Sequence, residues 1–130
     1  MASVIDEREK FMARAVGIGG VFFRAADPAG LAEWYQRHLG IDNLHISVWR
    51  QEAGMTIFGP FARDSDYFGR VEQQWMINFR VDDLDALIAK MTAEGIEVET
   101  RAEWDSEVGR FARIHDPEGN PVELWEPAQS

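Results

Sequence analysis

The sequence predicts one α+β domain made of two βαβββ modules that build a curved mixed sheet around a cleft. Three observations carry this expectation. Each half of the chain runs from a β-prone segment into an Asp-capped amphipathic helix; the second copy follows the first by about 56 residues; and an Asp-Pro-x-Gly-Asn turn precedes the last strand-like run. Val21-Phe22-Phe23-Arg24 answers to Ile77-Asn78-Phe79-Arg80, and Asp27 and Leu31 answer to Asp83 and Leu87. Gly40-Ile41 meets Gly95-Ile96 after a one-residue slip. A small sheet with one helix on one face leaves its other face needing cover, and two such modules can cover each other.

The 130 residues suit a single domain with its own core. Residues 1–16 read as an N-terminal extension, where the charged stretch from Val4 to Ala15 is free of Gly and Pro and helix-competent. The domain proper is expected over 17–127, with module 1 at about 17–60, a linker at about 61–74 and module 2 at about 75–127. Gly19 to Ala25 is a β-prone run bounded by glycine, and Asp27-Pro28 is a helix start, a capping carboxylate followed by proline at the first helical position. Leu31, Trp34, Tyr35, His38 and Leu39 form one apolar stripe, which Gly40 ends. His38 on that stripe reads as a packed histidine rather than a ligand. Strands are expected at His45 to Arg50 and Met55 to Phe58, around a turn at Glu52-Ala53-Gly54. The stretch from Gly59 to Gln74 exceeds a usual connection, so it is either a linker or a functional loop.

The pattern then restarts. Trp75 to Val81 reads as a strand, Asp82-Asp83 as a cap, and Leu84, Leu87, Ile88 and Met91 as a helical stripe ended by Gly95. Ile96 to Thr100 and Gly109 to His115 are further strands, and Val122 to Glu126 closes the sheet after the turn Asp116-Pro117-Glu118-Gly119-Asn120.

An apolar fraction of 45% and a charged fraction of 28% are those of a soluble globular protein. No window approaches the roughly 18 apolar residues of a membrane span, and Met1 to Glu7 lacks the regions of a secretory signal. Cysteine is absent, which removes disulfides, thiolate metal sites and cysteine nucleophiles and suits the cytoplasm. A net charge of −10 opposes nucleic-acid binding, which depends on Lys and Arg. It is compatible with a cationic ligand, or with solubility alone. Phosphate-binding glycine loops, hydrolase nucleophile elbows and basic recognition helices are missing.

Gly19 to Arg24 with Asp27-Pro28 and Trp34-Tyr35, Phe79 to Asp85, and Asp116 to Leu124 together resemble the vicinal-oxygen-chelate superfamily of glyoxalase, bleomycin-resistance and extradiol-dioxygenase type, over roughly 17–127. The resemblance implies the glyoxalase/bleomycin-resistance fold and, in many relatives, a homodimer. Its members include lyases, isomerases, oxygenases, transferases and antibiotic-sequestering proteins, so membership sets a range of functions. In its metal-dependent members the resemblance implies four positions around a divalent ion. Here they fall on Gly20, Thr56, Met76 and Glu123. Glycine has no ligating side chain and a thioether suits soft ions, so no metal cofactor is expected. His38, His45 and His115 form no ligand spacing either.

Strand alternation gathers Phe22, Arg24, Thr56, Phe58, Met76, Asn78, Phe111, Arg113, His115, Glu123 and Trp125 on cleft-facing positions. Such a cleft is aromatic and apolar with a few polar groups, suited to a small organic molecule. Phe22, Arg24, Phe58, Asn78, Phe111, His115 and Trp125 are the candidate ligand-binding residues, and Glu123 and Arg113 the candidate catalytic pair. Paired with Arg113 or Arg24, Glu123 is a poor base; left unpaired, it is a candidate general base. Two aromatic loop segments, 63–69 and 103–109, are candidate lids or dimer contacts. The expected function is capture of a small organic molecule without metal. The alternative is a lyase or isomerase in which Glu123 moves a proton and Arg113 or Asn78 stabilises negative charge. Glyoxalase I-like metal chemistry ranks third.

Overall fold

Helix formation starts in both halves where a carboxylate meets an unpaired backbone donor. The Asp27 side chain accepts from Gly30 N at 3.1 Å and opens helix α1, Pro28–Leu39, with proline in its first turn. Gly40, at φ 71°, takes the left-handed conformation that ends it. Asp83 does the same for α2, Leu84–Ala93, accepting from Ala86 N at 3.0 Å, while Glu126 accepts from Leu84 N at 2.7 Å. The computed structural model describes residues 13–41 and 48–129.

Between and after the helices run three strands: β1 (Ile77–Arg80), β2 (Gly109–His115) and β3 (Pro121–Pro127). Their order is β1-β3-β2, with β3 parallel to β1 and antiparallel to β2. Register sets Asn78, Glu123 and Arg113 side by side, and Arg80, Trp125 and Phe111 in the next row. Alternation turns Ala112, Ile114, Val122 and Leu124 to the opposite face. There they form the core with Leu84 and Met91 of α2 and Leu31 and Tyr35 of α1. Trp34, Leu39, Leu87 and Ile88 pack on its margin, so both helical stripes face inward as expected. His38 is buried on α1, with Nδ1 at 2.7 Å from Glu94 Oε2 at the end of α2.

The turn between β2 and β3 ties the two halves together. Buried Asp116 accepts from Glu118 N, Asn120 N and Asn120 Nδ2 within the turn, and from the Tyr35 hydroxyl of α1 at 2.7 Å. Glu118 reaches outward and accepts from Ala26 N and Asp27 N at 2.8 and 2.9 Å. Gly119 stands at φ 85°, where a side chain would strain the backbone.

Each half supplies one Asp-capped helix, whereas the described strands all lie in the second half, so the two βαβββ modules expected from the sequence are not seen among the described residues. Residues 17–25 and 48–60 carry no ladder, and Phe22 and Phe58 are 94% and 87% exposed. The reason is that β-prone residues make a strand only against a neighbouring backbone, and Gly17, Gly19 and Gly20 weaken the first run further. Met55 to Phe58 is likewise exposed chain. Ile96 to Thr100 shrinks to one antiparallel bridge, Glu99 to Arg113. The expected helix over 4–15 and strand from His45 fall largely on residues outside those described. The result is a mixed α/β fold with a small unclosed sheet. Among the described residues, no helix is long and apolar enough to cross a membrane.

Candidate functional site

The face of the sheet opposite the core carries charge where a bare sheet face would be solvated. Arg113 is 8% exposed and Glu123 7%, although neither belongs to the apolar core. What buries them is a layer of aromatic loop residues. Tyr67 lies over the Arg113 guanidinium at 4.8 Å from carbon to ring centroid, and Trp104 at 5.2 Å. Tyr67 in turn sits in an aromatic cluster, stacked on Phe61 at 5.5 Å and near Phe68 and Trp104. Both candidate lid segments thus converge on one side chain. Tyr67 is held locally by its own N–H donating to Ser65 Oγ at 3.2 Å and by a turn closing from Gly69 N to Asp66 O at 2.9 Å.

Glu123 has two partners. The Tyr67 hydroxyl donates to one oxygen in a short hydrogen bond, and Asn78 Nδ2 donates to the other at 2.7 Å. Neither expected arginine is an ion-pair partner of Glu123 among the described residues, although Arg113 stands directly across the ladder from it. Arg113 keeps Nε and Nη2 buried without a hydrogen-bond partner. Cation–π contact with the two rings compensates it in part. Burial pushes the Tyr67 phenol up to about 12, the hydrogen bond to Glu123 and its charge add to this, and Arg113 pulls the other way. Tyr67 therefore remains a hydrogen-bond donor across the physiological range.

Trp125 is buried, stacked on Phe111 at 6.1 Å with 4° between the planes, and its indole N–H donates to Val108 O at 3.0 Å. Asn78, Phe111, Arg113, Glu123 and Trp125 therefore come together on one face. Four other candidates do not join them. His115 ends β2 exposed, while Phe22 and Arg24 lie on exposed irregular chain beside an open groove of about 810 Å³ with Trp75 and Asn120. Phe58 is also exposed and apart. No buried charge lines that groove, and the Glu123–Arg113 row is the better candidate site. Tyr67 and Trp104 enter the sequence reading only as members of the two candidate lid or dimer-contact segments, not as individual site residues. Their signal was aromatic rings in an otherwise polar, Gly- and Asp-containing loop, and no spacing rule links residue 67 to residue 123.

The residues do not fit the divalent ion of the metal-dependent relatives. Gly20 and Thr56 lie on exposed chain, and both Glu123 oxygens already accept hydrogen bonds. Among the described residues, no group of three or more His, Cys, Asp or Glu is placed to hold a metal ion.

A family model described as a glyoxalase-like domain matches residues 6–125. CFP32, a protein with a provisional glyoxylase name from Mycobacterium bovis and from Mycobacterium tuberculosis, is 40% identical over 58 residues. That segment is 45% of this chain and 22% of CFP32, so the chain spans less than a quarter of the relative's length. Among solved structures, TnmS3, an antibiotic binding protein from Streptomyces sp. CB03234, aligns over 89% of this chain and 100% of its own. The TM-score is 0.56 at 19% identity, a likeness of fold. A glyoxalase/bleomycin resistance protein from the same strain aligns over 42% of this chain and 46% of its own, at 29% identity and a TM-score of 0.36.

Proposed function

The chain belongs to the glyoxalase-like domain family of the vicinal-oxygen-chelate superfamily, and on that premise we propose that it captures a small organic molecule against the Glu123–Arg113 face without a metal ion. One observation carries the reading: two opposite charges, each under a tenth exposed, stand side by side beneath aromatic loops without pairing to each other. Buried polar groups held apart from one another cost stability and mark a site prepared for something else. A fold neighbour that is an antibiotic binding protein is in keeping with capture.

The test is a thermal-shift screen of aromatic, cationic and anionic organic compounds, paired with metal analysis after incubation with Mn²⁺, Ni²⁺, Zn²⁺ and Fe²⁺ and desalting. A ligand that raises the melting temperature of the native chain, loses most of that effect in Glu123→Gln and is recovered unchanged supports the reading. A stoichiometric ion that is tightly held and lost in Glu123→Gln would return metal chemistry to the front. The lyase or isomerase alternative draws no support from this geometry, because both oxygens of its intended base are engaged.

The working unit we propose is a homodimer in the cytoplasm. Val16, Phe22, Met55, Ile57 and Phe58 leave large apolar side chains exposed along two segments outside helix and strand, which favours cover by a second copy. The lack of cysteine suits a reducing compartment.

A further inference from the structure

Arg113 presents a chemical asymmetry. In a guanidinium, Nε–H and the nearer N–H of Nη2 point the same way and form a fork that matches two oxygens of a carboxylate. Those two atoms are the pair left without partners here, in a side chain that is 8% exposed. A purely structural arginine across the ladder from Glu123 would turn that fork onto the carboxylate. Instead Glu123 is satisfied by Tyr67 and Asn78, and the fork stays empty. Meanwhile a phenol ring from a loop lies on the guanidinium and sends its hydroxyl to Glu123. Tyr67 sits on neither helix nor strand, and its own turn holds it by short-range bonds that move with it.

We infer that Tyr67 occupies the place of the ligand, and that the ligand is a hydroxylated aromatic carboxylic acid that displaces it. The incoming phenol takes over the hydrogen bond to Glu123, its carboxylate fills the empty fork of Arg113 edge-on, and its ring takes the space the Tyr67 ring vacates beside Trp104. This rests on the small-molecule reading above and names the chemical class. The overall charge of −10 slows the approach of an anion, but that field is screened beyond about 8 Å in physiological salt, and the local fork decides.

Calorimetric titration with the three isomeric hydroxybenzoates, benzoate and phenol tests it. At least one hydroxybenzoate should bind Tyr67→Ala about tenfold or more tighter than it binds the native chain, because the internal competitor is gone. The same isomer should exceed benzoate and phenol by about tenfold each, one hydrogen-bonding group being lost in either. Adding Arg113→Gln to Tyr67→Ala should erase the advantage over phenol. Tyr67→Phe, which keeps the ring and drops the hydroxyl, should give an intermediate gain and guards against a loop that collapses in the alanine variant. Equal binding of hydroxybenzoate, benzoate and phenol overturns the inference and leaves the small-molecule reading standing. So does failure of every probe in both variants while the broader screen finds another class of ligand. Failure of the screen as well overturns both.

Discussion

Tyr35 and Tyr67 are the two tyrosines of the chain, and both phenols resist ionisation in the folded state. Burial is the main cause for each, reinforced by a carboxylate acceptor, Asp116 for Tyr35 and Glu123 for Tyr67. A group whose folded value is raised contributes its full stability below its unfolded value and loses it as pH climbs through the folded one. For Tyr67 that window runs from 10.0 to about 12. Ultraviolet titration across it should show the native chain lagging the denatured one, with Tyr67 half ionised only near the top of the window and Tyr35 still protonated there. A native curve that follows the denatured one would contradict the hydrogen bonds to Asp116 and Glu123. Tyr67→Phe should cost about 1–3 kcal/mol in urea unfolding, since it takes a donor from a buried carboxylate. The sheet positions of Glu123, Arg113, Asn78, Phe111 and Trp125 were legible in advance because strand alternation has a strict period. Tyr67 was legible only as part of a candidate lid, and its contact with Glu123 was not, since a loop residue that closes over a distant strand obeys no period at all.

At the scale of elements, the helices were the readable part. Asp27 and Asp83 each precede an apolar stripe, and a capping carboxylate acts on backbone donors within three residues, so local sequence suffices. Asp83→Ala should lower stability by about 1 kcal/mol in chemical denaturation. Met91→Ala, at a position with no exposure, should lower it by about 2–5 kcal/mol. A cost for Met91→Ala no larger than that of the exposed cap would mean α2 does not pack on the sheet as described. Strands were readable only where a partner exists. Gly109 to His115 and Pro121 to Pro127 have a short turn to bring them together, and both form. Val21 to Arg24 has the same β-prone character as Ile77 to Arg80 but no described backbone beside it, and strand propensity is a fit to neighbours more than a property of the chain.

Across the whole molecule, exposed apolar chain and an unclosed sheet set an expectation about association. Light scattering on the native protein should give twice the chain mass, and Phe58→Glu should shift it toward the monomer. A monomer at all accessible concentrations would end the dimer reading without touching the Glu123–Arg113 site. The attachment of α1 has a different kind of consequence, in time. Tyr35 and Asp116 are 81 residues apart in sequence, and Glu118 reaches back 91 and 92 residues to Asp27 and Ala26. Contacts of that separation close a long loop before they return any stabilisation, whereas β2 and β3 need only their own turn. The helix should therefore dock after the barrier is crossed. Tyr35→Phe would then leave the refolding arm of a stopped-flow chevron nearly unchanged and raise the unfolding rate, making the Asp116 turn the latch that sets how long a folded molecule lasts.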